Sequence, residues 1–306
     1  MDEATYTPLR EPRSRFLTLR GLRHHILEWG EPSARAGRPP LVMLHGWMDV
    51  AASFQFVVDA LPHDLHVIAM DWRGFGLSDS SGTDSYWFPD YLGDLDALLD
   101  AIAPDQQVDL LGHSMGGNVV MSYAGVRPQR IRRLVNLEGF GLPDARADKA
   151  PKRLAEWLDA LKAPAELRPY ASLAAVAERL MRTNPLLAPD KARWLAAHWS
   201  REAAPGRWVI LGDPAHKRPN AVPYRAEEVL ACWRRIEAPL LWVEGAQTRI
   251  GELWADRYPR SEFDARLAQV RDVHRSVIAG AGHMLHHDQP EAVALVLESF
   301  LSQPAG

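Results

Sequence analysis

The chain has 306 residues, 47% of them apolar and 24% charged, which excludes disordered, collagen-like and disulfide-scaffold proteins and allows one large domain or a domain carrying an insertion. With 39 acidic against 35 basic residues, a formal net charge of -4 and no run of five lysines or arginines, it has no broad cationic field, so nucleic acid is not an expected partner. The single cysteine, Cys232, cannot close an internal disulfide, the charged N-terminal residues argue against a secretory signal, and no apolar run reaches the roughly 18 residues of a membrane span, which makes the cytoplasm the default compartment.

In chain order, residues 1–14 read as a loose end. Leu17 to Arg20 and His25 to Trp29 then form two β-rich runs that predict an antiparallel hairpin at a sheet edge. Leu41 to Leu44, His66 to Met70, Val108 to Leu111 and Leu134 to Leu137 are apolar on both faces, as buried parallel strands are. Helical patterns at Tyr91 to Ile102 and Asn118 to Val126 alternate with them, the sign of a parallel sheet flanked by helices. From about Pro143 the pattern changes. Residues 151–204 are rich in Ala, Leu and Arg at helical spacing, divided by Pro164, Pro169, Pro185 and Pro189 into three or four short helices. Trp157, Trp194, Trp199 and Trp208 read there as that segment's own core, and Trp208 to Tyr224 as an irregular return whose Asp213, His216, Lys217 and Arg218 rim an entrance. Strands resume at Leu240 to Val243 and Ser276 to Ile278, a helix runs from Pro290 to Leu301, and residues 302–306 read as a second loose end.

The sharpest chemical signal is Gly112-His113-Ser114-Met115-Gly116, a G-x-S-x-G sequence between a predicted strand and a predicted helix. Such an elbow exposes the serine hydroxyl at the carboxyl end of the sheet. Its glycines let strand and helix approach closely, and the helix N-terminus favours negative charge developing on a substrate oxygen. Ser114 is therefore the candidate nucleophile, with His113 packed beneath it.

With Leu44-His45-Gly46-Trp47 after the third strand, Asp71-Trp72-Arg73-Gly74-Phe75-Gly76-Leu77-Ser78 after the fourth, this elbow after the fifth and Gly280-Ala281-Gly282-His283 after the last, the chain resembles the α/β-hydrolase superfamily from about residue 17 to residue 301. More narrowly, His45-Gly46-Trp47-Met48-Asp49 with Ala52-Ser53-Phe54 resembles the serine-hydrolase-like subgroup. The resemblance implies a mostly parallel eight-stranded sheet with helices on both faces. It also implies an inserted helical cap, taken here as residues 141–235 between core segments 1–140 and 236–306.

A nucleophilic serine needs two donors at the oxyanion, one from the residue after it and one from the loop after the third strand, which by position are the backbone amides of Met115 and Trp47. The pocket beside them is expected to take in Trp47, Phe140 and Met284. His283, in a glycine-flanked loop after the last strand, is the expected general base. His286 and His287 read as helix-entry or rim residues and not as metal ligands, because adjacent histidines point apart and no further ligand has metal-type spacing. Asp71 and Arg73 read as loop braces.

The third member of the triad is less direct. Past Gly245 the chain reads Ala246-Gln247-Thr248-Arg249, without the carboxylate usual there, and Gln247 cannot supply the charge that stabilises imidazolium. Glu138, ending the run Leu134-Val135-Asn136-Leu137, is the favoured acid, similar to some haloalkane dehalogenases; Glu244, Asp256 or another acid, or no acid at all are the alternatives. The expected activity is hydrolysis of an ester or thioester of a small to medium, largely apolar molecule through an acyl-enzyme, with no cofactor and no metal. A carbon–carbon bond hydrolase or an amidase with the same triad is the alternative. A ligand receptor of this fold, favoured only by the missing acid after Val243, is another.

Overall fold

The computed structural model describes residues 4–32, 38–249 and 257–303. Its strands are β1 (Arg13–Leu19), β2 (Leu22–Trp29), β3 (Leu41–Leu44), β4 (Val67–Met70), β5 (Val108–His113), β6 (Ile131–Leu137), β7 (Ser200–Ala204), β8 (Arg207–Ile210), β9 (Leu240–Gly245) and β10 (Val273–Ile278). Eight of them form one sheet in the order β1-β2-β4-β3-β5-β6-β9-β10. The pairs β1/β2 and β2/β4 are antiparallel and every other neighbouring pair is parallel. The central strands β3, β4 and β5 are buried along their whole length, as strands covered on both faces must be. The expected edge hairpin is present, and it turns through Arg20 and Gly21, whose φ values of 51° and 82° suit a two-residue type I′ connection.

The helices are α1 (Gln55–Ala60), α2 (Phe88–Ile102), α3 (Met115–Val126), α4 (Ala150–Leu161), α5 (Leu173–Thr183), α6 (Pro189–Trp199), α7 (Ala226–Trp233), α8 (Arg260–Leu267), α9 (Leu285–Asp288) and α10 (Pro290–Leu301). Leu95, Leu98 and Leu99 of α2, Val119 and Val120 of α3, and Phe263 of α8 build one core cluster. Phe56 and Val57 of α1 and Val293, Leu297 and Leu301 of α10 build the other. The sheet thus carries a hydrophobic layer on each side. Among the described residues no helix is long and apolar enough to cross a membrane.

Three expectations change on folding. Residues 4–14 are not a loose end: the Tyr6 hydroxyl donates to Asp59 at 2.7 Å, the Arg10 amide donates to the same carboxylate at 2.9 Å, and the buried Arg10 guanidinium serves carbonyl oxygens of Val58, Pro62 and Leu65. The stretch after α6 is not irregular at its start but a β7–β8 hairpin. Trp194 and Trp199 do not belong to a private core of residues 141–235. Trp194 packs on Phe56 of α1, and Trp199 donates its indole N–H to Asp49 at 2.9 Å, so both tie α6 to α1 and to the loop after β3. Helix α7 lies inside the 141–235 range assigned to the cap, yet its Leu230 and Trp233 join the core cluster of α3, where a Cβ on Gly125 would sit 1.9 Å from the Cys232 carbonyl oxygen.

The return crossing is pinned rather than free at a rim. The His216 ring stacks between Phe75 and Tyr86 at 3.8 and 3.6 Å, and Asp213 accepts from the Tyr86 hydroxyl at 2.8 Å. Because β3, β5, β6, β9 and β10 are parallel, their carboxyl ends share one edge of the sheet, and the loops that follow them meet there.

Candidate active site

The elbow is built by steric demand. Ser114 links β5 to α3 with φ 51° and ψ -112°, a conformation that a non-glycine residue adopts only when its surroundings impose it. Its amide donates to the Leu137 carbonyl at 2.8 Å, and its own carbonyl accepts from Asn118 at 3.0 Å. A Cβ on Gly112 would lie 2.3 Å from the Gly116 carbonyl oxygen, and one on Gly116 would lie 2.2 Å from that of Leu44. Strand, elbow and helix therefore approach so closely that neither position admits a side chain.

His283 reaches this serine from the loop after β10. Its Nε2 lies 3.0 Å from Ser114 Oγ and its Nδ1 lies 3.1 Å from Glu138 Oε2, so the three residues form one hydrogen-bonded line. Ser114 is half-buried, the His283 side chain is 29% exposed and Glu138 is buried, the gradient a solvent-reachable nucleophile backed by a shielded charge would show. The His283 backbone carbonyl accepts from His113 Nε2 at 2.9 Å, which ties the histidine loop to the elbow. Burial, and then its neighbours His286 and His283, holds the His113 imidazole well below its usual range, so it is a neutral spacer beneath the serine.

Glu138 follows β6 at φ 60°, with its amide bonded to the Val243 carbonyl at 3.1 Å. Oε1 accepts the Gly245 amide at 2.7 Å and Oε2 accepts the Thr248 hydroxyl at 2.7 Å. The loop after β9 thus supplies donors to a carboxylate carried by the neighbouring strand. Asn136 braces the turn by accepting from the Gly139 amide at 2.8 Å. Glu244 is elsewhere: both its oxygens pair with Arg260, each at 2.9 Å. Asp256 lies outside the described residues.

Met115 is the first residue of α3, where a helical amide has no acceptor within its own helix. Trp47, in the loop after β3, is 51% exposed and is followed by Met48 at φ 58°. Ser114, Glu138 and Met48 are three of the four non-glycine residues at positive φ among those described, and such strain, about 1–3 kcal/mol each, gathers at working sites. Met284 is half-buried beside His283. Phe140 is not a pocket residue: its ring packs edge-on against Trp242 and Phe263 inside the core, and its carbonyl accepts from the Tyr258 hydroxyl at 2.7 Å.

His286 and His287 are not rim residues either. Both are buried, their rings stand 4.2 Å apart, and both face Asp49. They lie in the helical turn α9 that precedes α10, as a helix entry, and what adjacency in sequence did not show is that core packing brings donor atoms of both to Asp49. Asp71 and Arg73 do brace loops: Asp71 accepts from the amides of Ala51 and Leu77, and Arg73 forms a bidentate pair with buried Asp94.

Sequence reasoning missed Thr248, Asn136 and Asp49. Asn136 left a signal, a polar residue inside an apolar strand, whereas Thr248 is one hydroxyl in a loop with nothing to mark it.

Comparison with known proteins agrees with this fold. Residues 39–290 match the family described as alpha/beta hydrolase fold. A serine hydrolase-like protein of Danio rerio is 27% identical over 289 residues, covering 89% of this chain and 86% of that one. The esterase YbfF of Escherichia coli is 26% identical over 269 residues, covering 86% and 93%. The crystal structure of a hypothetical protein from Pseudomonas aeruginosa PAO1 superposes with a TM-score of 0.81 at 28% identity, covering 95% of this chain and 99% of that one.

Proposed function

Because the chain belongs to the alpha/beta hydrolase fold family, we propose that it is a serine hydrolase that cleaves an ester or thioester of a small to medium, largely apolar molecule. Ser114 Oγ attacks the carbonyl carbon while His283 Nε2 takes its proton, and Glu138 holds the ring with Nδ1–H toward the carboxylate and stabilises the imidazolium. The amides of Met115 and Trp47 receive the oxyanion at the N-terminal end of α3, where the helix dipole favours negative charge. His283 then protonates the departing alkoxide or thiolate. A water molecule, deprotonated by the same nitrogen, resolves the acyl-Ser114 ester and regenerates the serine. No cofactor enters these steps.

The observation that carries this reading is the line from Ser114 Oγ through His283 to Glu138, at 3.0 and 3.1 Å. Similarity to a protein named an esterase supports the ester class, and the small net charge of -4 suits a neutral substrate. The core 1–140 and 236–306 carries every one of these groups, and the insertion between them is proposed as the cap that shapes access. A fluorophosphonate probe is expected to label the wild-type chain at one site and to leave Ser114→Ala unlabelled. Equal labelling of both proteins would overturn the proposal. An ester series of increasing acyl length then reads out the substrate preference.

A further inference from the structure

We propose that Asp49, His286 and His287 form a buried site for one divalent transition-metal ion of the zinc class, behind the nucleophile elbow. The three residues are 3%, 0% and 3% exposed, and one donor atom from each lies within 4.8 Å of the other two. Three points so spaced lie within about 2.8 Å of a common centre, which is 4.8 Å divided by √3. Zinc bonds to imidazole nitrogen and carboxylate oxygen run at about 2.0–2.2 Å, so an inward movement of at most about 0.8 Å brings the three protein donors to bonding distance, and a water molecule would complete the tetrahedron as fourth ligand.

The polar atoms at this place are otherwise unanswered. Asp49 Oδ2, both ring nitrogens of His286 and His287 Nε2 are buried without a hydrogen-bond partner. His286 Nε2 is 3.9 Å from Asp49 Oδ2, too far for a direct hydrogen bond. Leaving such groups unpaired in the interior is costly, since each gives up its hydrogen bonds to water. Their surroundings already have the form of an outer coordination shell. Asp49 Oδ1 accepts from the Val50 amide at 2.9 Å, from the Trp199 indole at 2.9 Å and from the Ser53 hydroxyl, which leaves Oδ2 turned to the histidines. His287 Nε2 is likewise buried without a partner, which leaves that nitrogen available to an ion. Two imidazoles and one carboxylate suit zinc and its neighbours better than calcium or magnesium, which require oxygen donors.

This site is separate from the triad. His113 stands between them, its ring 4.3 Å from His286 and 4.9 Å from His283. An ion here would fasten the loop after β3, Trp199 of the insertion and the turn α9 to one point. The role is structural, and the inference does not depend on the proposed chemistry of Ser114.

The test uses the full chain, freed of metal with a chelator and then equilibrated with zinc chloride. After gel filtration we expect about one zinc per chain by elemental analysis, a raised Tm, and visible d–d absorption of a tetrahedral ion when cobalt replaces zinc. Ser114→Ala should retain the ion; His287→Gln and His286→Asn should each lower occupancy at least tenfold at micromolar zinc. Wild-type protein that takes up no zinc and shows no change in Tm would overturn the proposal without reference to any variant, and would leave a buried water or shared proton as the occupant. Zinc retained at full occupancy in both histidine variants would overturn it equally, by placing the ion elsewhere.

Discussion

Replacing Glu138 with glutamine exchanges one carboxylate oxygen for an amide nitrogen at nearly constant volume, and the surrounding donors dictate which oxygen is lost. The Gly245 amide at 2.7 Å requires an acceptor, so the remaining oxygen takes the Oε1 position and the new NH2 takes the Oε2 position. There it meets the Thr248 hydroxyl, which can rotate to accept, and His283 Nδ1, which cannot keep its proton opposite a donor. The ring changes tautomer, Nε2 acquires the proton, and the lone pair that accepts the Ser114 proton is gone. A wrong-tautomer triad loses about 10⁴-fold in turnover, equivalent to roughly 5 kcal/mol of transition-state stabilisation. The assay is kcat/KM on a p-nitrophenyl ester, accompanied by calorimetry to establish that Tm stays within a few degrees. Glu244→Gln is the internal control, since Glu244 pairs with Arg260 and touches neither Ser114 nor His283, and it should keep activity within about threefold. Activity of Glu138→Gln within tenfold of wild type, or an equal loss in Glu244→Gln, would refute the assignment of the acid.

Thr248→Val removes one of the two neutral donors holding the Glu138 carboxylate; a hydrogen bond to a charged group contributes about 1.5–3 kcal/mol, so kcat should fall tenfold or more with KM little changed, and an unchanged kcat would contradict a positioning role. Gly116→Ala drives a methyl against the Leu44 backbone and should cost about 3 kcal/mol, read as a lowered urea midpoint; wild-type stability would mean the elbow has room that its geometry denies. Burial pushes the His216 imidazole down to about 4, against an unfolded value near 6.5. The unfolded chain therefore takes up a proton that the folded chain refuses, and as pH falls from 6.5 toward 4 this residue removes up to roughly 3 kcal/mol of stability. His216→Phe keeps a ring between Phe75 and Tyr86 but cannot titrate, so denaturation midpoints at pH 7 and 4.5 should differ less in the variant. The same difference in both proteins would place the titration elsewhere.

The elements that sequence alone determined are those whose signal is local. Buried strands are continuous apolar runs, the elbow is a five-residue pattern whose glycines leave no room for a Cβ against neighbouring backbone, and the histidine loop follows the last strand directly. Ser114 and His283 were legible for that reason. The acid was legible only as a preference, because Glu138 and the donors that hold it are 107 and 110 residues apart in the chain. What brings them together is the parallel register of β6 on β9, with Leu137 opposite Val243, and register is a property of the assembled sheet. Phe140 was misplaced because one residue of turn separates a side chain aimed at the pocket from one aimed at the core. His286 and His287 were read as possible rim residues because adjacency in sequence does not report burial, whereas the turn α9 packs their rings against Phe54 and Phe56. Sequence determined the elbow that carries Ser114 and the loop that carries His283 through short-range sterics; the tertiary structure alone decided which buried carboxylate and which buried imidazoles share a neighbourhood, because burial brings together groups that no local spacing relates.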